Sequence, residues 1–210
     1  MKLYTAAALA AAVCLRAQGP YTQIPPRATP AEYQAQVKVG DVTLAAEFKG
    51  HSVPTAQGAP LNSEDYIVVE AAVFGAPEAR LTLAANDFSL RVNGKKAALP
   101  SQPAGLVVGS LKDPEWEPPT PPSKSKTSMT SGGGGGKGDS NEPPAPVKVP
   151  IEVQRAMAQR TQKAALPEGD RPLPQAGLLF FQYRGKASGI HSLELIYTGP
   201  AGKATLPLQP

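Results

Sequence analysis

Apolar residues alternate with polar ones through much of this chain, and a period of two is a strand period, because successive side chains leave a strand on opposite faces. In the run YIVVEAAVF, Tyr66 to Phe74, the positions Ile67, Val69, Ala71 and Val73 share one parity, while Glu70 falls on the other. Phe88, Leu90 and Val92 alternate with Ser89, Arg91 and Asn93. Asn93-Gly94 follows at once, a strong hairpin signal, since both central residues of a type I′ turn need positive φ. Ala97 and Leu99 then continue a return strand that Pro100 stops. Val37, Val39, Val42 and Leu44 flank Gly40-Asp41, which reads as a tight turn between two strands. Leu193, Leu195 and Tyr197 alternate with Ser192 and Glu194, and Pro200-Ala201-Gly202 turns the chain toward Ala204, Leu206 and Leu208. Gly177 to Gly185, GLLFFQYRG, is apolar on both parities at its start, as in a central strand covered on both sides. The pattern predicts an all-β fold, an antiparallel sandwich of about seven strands, with no βαβ alternation.

One stretch breaks the pattern. Between Asp113 and Val149, 37 residues hold 8 Pro, 6 Gly and 5 Ser. No core can form from such a composition, and a disordered loop over 113–149 is the expectation. Only about three strands follow it, too few to bury a face alone, so it reads as an excursion within a single domain over 34–210. Pro150 to Ala165 is the one helix signal. Proline suits a helix start, Glu152 sits near the positive N-terminus, and Val153, Met157 and Ala164 share a thin apolar stripe. Such a helix lies on the surface, where it can cover the outward Leu178 or Phe180.

The N-terminus reads as a targeting segment. Lys2 precedes the apolar stretch Thr5 to Leu15, and Leu15-Arg16-Ala17 offers a cleavage site, which makes residues 1–17 a secretory signal peptide. The run is too short to span a bilayer, so no integral membrane span is expected. A lipoprotein anchor at Cys14 is disfavoured, because Val13 stands where a small residue belongs. An extended, Pro-punctuated leader follows over 18–33, with Pro20, Pro25, Pro26 and Pro30. Removing Lys2 and Arg16 from 21 basic residues leaves 19 against 17 acidic ones, a net charge of +2 with scattered signs. That gives no footprint for nucleic acid. The exported chain, periplasmic or extracellular, also loses Cys14, its one cysteine, and must stand on its hydrophobic core without disulfides.

Chemistry is thinly supplied. SGGGGGKGDS departs from a phosphate loop at Ser131 and Gly138, and it lacks the strand and helix that such a loop joins. Asp139-Ser140-Asn141-Glu142 begins like a calcium loop, but Pro143 and a missing glycine spoil it. His51 and His191 stand 140 positions apart and read as two surface histidines. No Gly-x-Ser-x-Gly elbow is present, and Glu168 with Asp170 falls in a Gly/Pro loop that nothing dries. The sequence therefore predicts no catalytic residues, no cofactor and no metal. Trp116, between Glu115 and Glu117, is the one candidate interaction anchor, although a lone tryptophan near a domain edge more often tucks back onto the fold.

Tyr66-Ile67-Val68-Val69, then Asn86-Asp87-Phe88-Ser89-Leu90 with Asn93-Gly94-Lys95, then Ala176 to Phe181 follow one another in a familiar order. This order resembles the secreted bacterial immunoglobulin-like domains grouped with the small mycobacterial secreted antigen, and also the uncharacterised exported proteins of soil bacteria. The resemblance covers roughly Val37 to Leu208 without the excursion. It implies an immunoglobulin-like sandwich and transfers no site residues. The functional expectation is an exported, non-enzymatic module that binds a protein or a cell-envelope component. A small-ligand or carbohydrate-binding sandwich is the alternative; it should show an aromatic-lined groove, which 6 Tyr, 5 Phe and one Trp supply poorly. A hydrolase with dispersed residues is a weaker alternative.

Overall fold

The computed structural model describes residues 23–117 and 149–210. The expected signal peptide, the start of the leader and most of the Pro/Gly/Ser-rich stretch lie outside the described residues, as do the phosphate-loop-like and calcium-loop-like segments. The chain runs through β1 (Ala35–Val39), β2 (Val42–Gly50), β3 (Ser52–Val53), β4 (Leu61–Ser63), β5 (Tyr66–Phe74) and β6 (Arg80–Leu83). It continues through β7 (Phe88–Val92), β8 (Leu99–Gln102), a short α1 (Ala104–Val107) and β9 (Leu111–Lys112). After the excursion come α2 (Ile151–Ala164), β10 (Gly169–Pro172), β11 (Gln175–Gln182), β12 (Leu193–Gly199) and β13 (Gly202–Leu208).

Eight strands form one antiparallel sheet in the order β1-β2-β5-β11-β8-β7-β12-β13. β11 follows the excursion in sequence and yet sits between β5 and β8, so strands from both sides of it share one sheet. Within the turns, Asn93 and Gly94 take φ of 53° and 65°, and Lys95 N–H closes the loop on the Val92 carbonyl at 3.1 Å. The return strand departs from the sequence reading. It starts at Leu99, includes Pro100 opposite Ser89, and ends at Gln102. A proline fits there because β8 changes partners within four residues. Leu99 and Pro100 pair with β7, whereas Ser101 and Gln102 pair with β11. β8 is thus the corner at which the sheet folds over, as strands that switch layers do in sandwiches. The two halves then face each other across a core that includes Leu44, Ile67, Val69, Leu90, Phe181 and Leu195, and β1 comes to lie beside β13.

About seven strands were expected; among the described residues the main sheet has eight, and two small sheets, β10-β6 and β3-β4-β9, add five short ones. These are two to four residues long, too brief for a period to register. They flank a second apolar cluster on the outer face of β5 and β11, where Tyr66, Val68, Leu178 and Phe180 are buried under α2 through Met157 and Ala164. The helix therefore covers both outward side chains for which the sequence asked a partner. It spans 151–164, one residue inside each expected end, because Pro150 is its N-cap and Ala165 is already extended before Leu166-Pro167. Thr161 is fully buried on its inner stripe and returns its hydroxyl to the Met157 carbonyl at 2.9 Å.

The leader is not merely extended. Residues 30–32 form one 3-10 turn, and Tyr33 is buried on Ala45, Ala72 and Ala176, three alanines aligned across β2, β5 and β11. Small side chains at one level make a shallow seat, and the Phe74 ring meets Tyr33 edge-on at 6.0 Å. Arg27 lies over the other face of this assembly, 4.4 Å from the Tyr33 ring centroid. It also pairs with Glu47 and, at 3.6 Å, with Glu70. Glu47 and Glu70 stand directly opposite on β2 and β5, a repulsive cross-strand pair unless cations join it. Lys49 completes the neutralisation, 2.8 Å from Glu47 and 3.0 Å from Glu70.

Burial pushes the Glu47 carboxyl up, but hydrogen bonds from Lys49 and Arg27 outweigh it and hold the group below its usual range. A carboxyl with a depressed folded value contributes stability above its unfolded value, and that contribution is lost as pH falls through the folded one. The stability advantage of wild type over Glu47→Gln is therefore expected to be full above about pH 5 and to vanish progressively below about pH 4.3. Urea unfolding of both chains across that range checks it; a constant difference would refute the ion-pair account.

Candidate functional site

Leu111 of β9 is buried on the outer cluster, and the chain then turns through Asp113-Pro114-Glu115-Trp116. One Asp113 oxygen, Oδ1, accepts the Glu115 N–H at 3.0 Å, and the Asp113 carbonyl accepts the Trp116 N–H at 3.2 Å. The turn is thereby closed by its own aspartate. The other oxygen, Oδ2, accepts from Arg160 Nη1 at 3.1 Å. Arg160 reaches across from α2, three residues beyond the buried Met157, and also donates to the Ala59 carbonyl and, at 3.3 Å, to Thr55 Oγ1. One guanidinium thus ties α2 to the 55–59 loop and to the tryptophan turn.

Trp116 is half-buried and lines an apolar pocket with Leu111, Val149 and Met157. Residues 113–117 and 149 therefore belong to the folded body, which moves the expected loop boundaries inward at both ends. Trp116 and Val149, on the two sides of that stretch in sequence, line the same pocket. Two large apolar side chains in the same helical layer face solvent, Leu106 of α1 at 59% exposure and Ile151 of α2 at 52%. Among the described residues these two are the large apolar side chains that the fold leaves exposed.

The remaining candidates stay apart. His51 is half-buried rather than a surface histidine, with Nδ1 2.9 Å from the Tyr66 carbonyl and Nε2 3.0 Å from that of Gly185. It braces the start of β5 against the turn after β11. His191 is exposed, and its backbone N–H donates to Asn93 Oδ1 at 2.7 Å. Asp170 pairs with Arg80 at 2.8 Å on the exposed β10-β6 ribbon, and Glu168 Oε1 accepts the Ala85 N–H at 3.3 Å. Among the described residues no three His, Cys, Asp or Glu side chains gather closely enough to hold a metal ion. No described helix is long and apolar enough to cross a membrane.

Sequence reasoning singles out Trp116 as a candidate and places Arg160 off the apolar stripe of the helix, whereas its guanidinium pairs with Asp113 of the Trp116 turn. The signal was present: an arginine on the Val153, Met157, Ala164 side of the helix has no reason to be there unless it meets a partner.

Fold and site together define an antiparallel sandwich with a helical layer over one outer face and a tryptophan turn at the rim of that layer. No family model and no curated protein matches the chain. Among solved structures it is similar to a candidate lipoprotein from Bacillus subtilis, at 14% identity and a TM-score of 0.37, over 84% of this chain and 38% of that one. The chain thus spans well under half the length of that protein.

Proposed function

We propose that this protein is an exported, non-enzymatic, immunoglobulin-like module that binds a protein or a cell-envelope component through the helical face around Trp116. Export rests on the signal-like residues 1–17, and the kinship with secreted bacterial immunoglobulin-like domains rests on the three strand motifs. The binding role is carried by one observation: a half-buried tryptophan held at the rim of an apolar pocket by the Arg160–Asp113 pair. A large ring ordered before contact loses little entropy on binding, which is how aromatic anchors come to dominate interfaces.

Two measurements test this reading. Mass spectrometry of the native protein is expected to find a mature chain that begins at Gln18; an uncleaved cytoplasmic precursor would overturn export. Copurification from the native envelope is expected to give a reproducible partner, and Trp116→Ala should weaken its binding by tenfold or more, about 1.4 kcal/mol. Equal binding by the variant would remove Trp116 from the interface.

A further inference from the structure

A second concavity, of about 340 Å³, lies at the C-terminal end of α2. It exists because β8 leaves the sheet at Pro103 while β11 continues, paired there with β5 and no longer with β8. Leu166 takes over the vacated edge, donating its N–H to the Leu178 carbonyl at 3.0 Å, and Ala165 bridges Leu178 in parallel. The groove that remains has a floor of Ala104, Leu166, Leu178 and Phe180, all buried side chains. Its polar lining is Gln23, Gln102, Gln162, Glu168 and Arg171.

Those five side chains have one chemical property in common. Each ends in a planar fork of polar atoms that can hydrogen-bond two neighbouring groups at once. The lining supplies three amides that both donate and accept, one carboxylate and one guanidinium, and the two charges cancel. Little of this capacity is consumed internally. Glu168 uses Oε1 on the Ala85 N–H, and Arg171 uses Nε on the Glu168 carbonyl at 2.9 Å. The Gln102 amide reaches the Pro100 carbonyl only at 3.5 Å. Among the described residues the side chains of Gln23 and Gln162 make no hydrogen bond. An anion would meet Glu168 and the negative end of α2, and a cation would meet Arg171.

We propose that this groove binds a neutral saccharide of one or two rings, with hydroxyl pairs on the forks and a C–H face toward the apolar floor. The proposal rests on the reading of the chain as an exported protein, which places it among envelope glycans. The one ring in the floor, Phe180, is only 1% exposed, so no aromatic platform is offered, and dissociation constants on the order of 1 mM follow.

Maltose, cellobiose and N,N′-diacetylchitobiose, each titrated into the 15N-labelled full chain, are the probes, with zwitterionic trialanine as the competing class. At least one disaccharide is expected to give saturable shifts confined to Gln102, Gln162, Glu168, Arg171 and their neighbours. Gln162→Ala and Arg171→Ala alter exposed side chains and leave the core intact; each should weaken that binding at least fivefold. Trp116→Ala should leave it unchanged, which separates a failure of this site from a failure of the helical face. The proposal is overturned if no disaccharide shifts these residues at about 20 mM. It is equally overturned if trialanine alone shifts them, or if both groove variants bind as wild type does.

Discussion

Gly177→Ala is expected to destabilise the protein by about 3 kcal/mol, the upper range for overpacking, and to loosen α2 from the sheet. Gly177 lies in β11 opposite Ala71, in ordinary strand conformation, so the cost is one of space and not of backbone strain. A β-carbon there would stand 2.5 Å from the Leu166 nitrogen and 2.7 Å from the Ala165 carbonyl carbon, with the Leu166 α-carbon closer still. These are backbone atoms and cannot rotate aside. Either β11 or the Ala165–Leu166 segment must move, and the second movement breaks the Leu166–Leu178 hydrogen bond and lifts the helix from Leu178 and Phe180. Gly105→Ala is the matched control, since nothing lies within 4 Å of its added carbon. In α1 that change is expected to be neutral or to stabilise by up to about 1 kcal/mol. Urea unfolding of the three chains decides the matter, and a Gly177→Ala value within 1 kcal/mol of wild type would show that the close approach is not limiting.

Strands with a clear period were legible at the level of single residues. Phe88, Leu90 and Val92 point into the core as their alternation requires, and the glycines at 40, 94 and 202 take positive φ at the turns assigned to them. β11 was legible as central because both of its parities are apolar. The even parity of β5 was harder to read. Its Tyr66 and Val68 lie under α2 and its Ala72 under Tyr33, partners distant in sequence that no local period can reveal. Glu70, on the parity opposite the core, is nevertheless buried, since Arg27 and Lys49 arrive from other segments to neutralise it. The candidate site shows the same division. Trp116 was visible as a lone aromatic between acids, but the turn that holds it depends on Arg160, 44 positions away in sequence, and on the carbonyl of Ala59. Charge partners and loop carbonyls come together only through the fold.

The second large effect concerns that brace. Arg160→Met keeps most of the side chain's length and packing and removes its charge and donors. Asp113 is then left as a carboxylate only 12% exposed with no cation beside it, and Ala59 and Thr55 lose a donor. Breaking a largely buried pair by removing one partner costs about 3 kcal/mol, most of it the penalty on the charge left behind. Adding Asp113→Asn to Arg160→Met should therefore recover part of the loss, a coupling that a double-mutant cycle measures. Part of the loss in Arg160→Met is offset from the start, because Arg160 Nε is itself buried without a partner, a cost that methionine removes. The chain has one tryptophan, so its fluorescence reports on the turn alone. Emission should shift to the red in Arg160→Met, as Asp113 releases the turn and Trp116 leaves its contacts with Leu111, Val149 and Met157. The same variant should then bind the proposed protein or envelope partner as weakly as Trp116→Ala does, although its tryptophan is intact. A red shift with undiminished binding would separate the anchor from its positioning. A stability loss below 1 kcal/mol with unchanged emission would mean that the apolar pocket holds Trp116 without the pair.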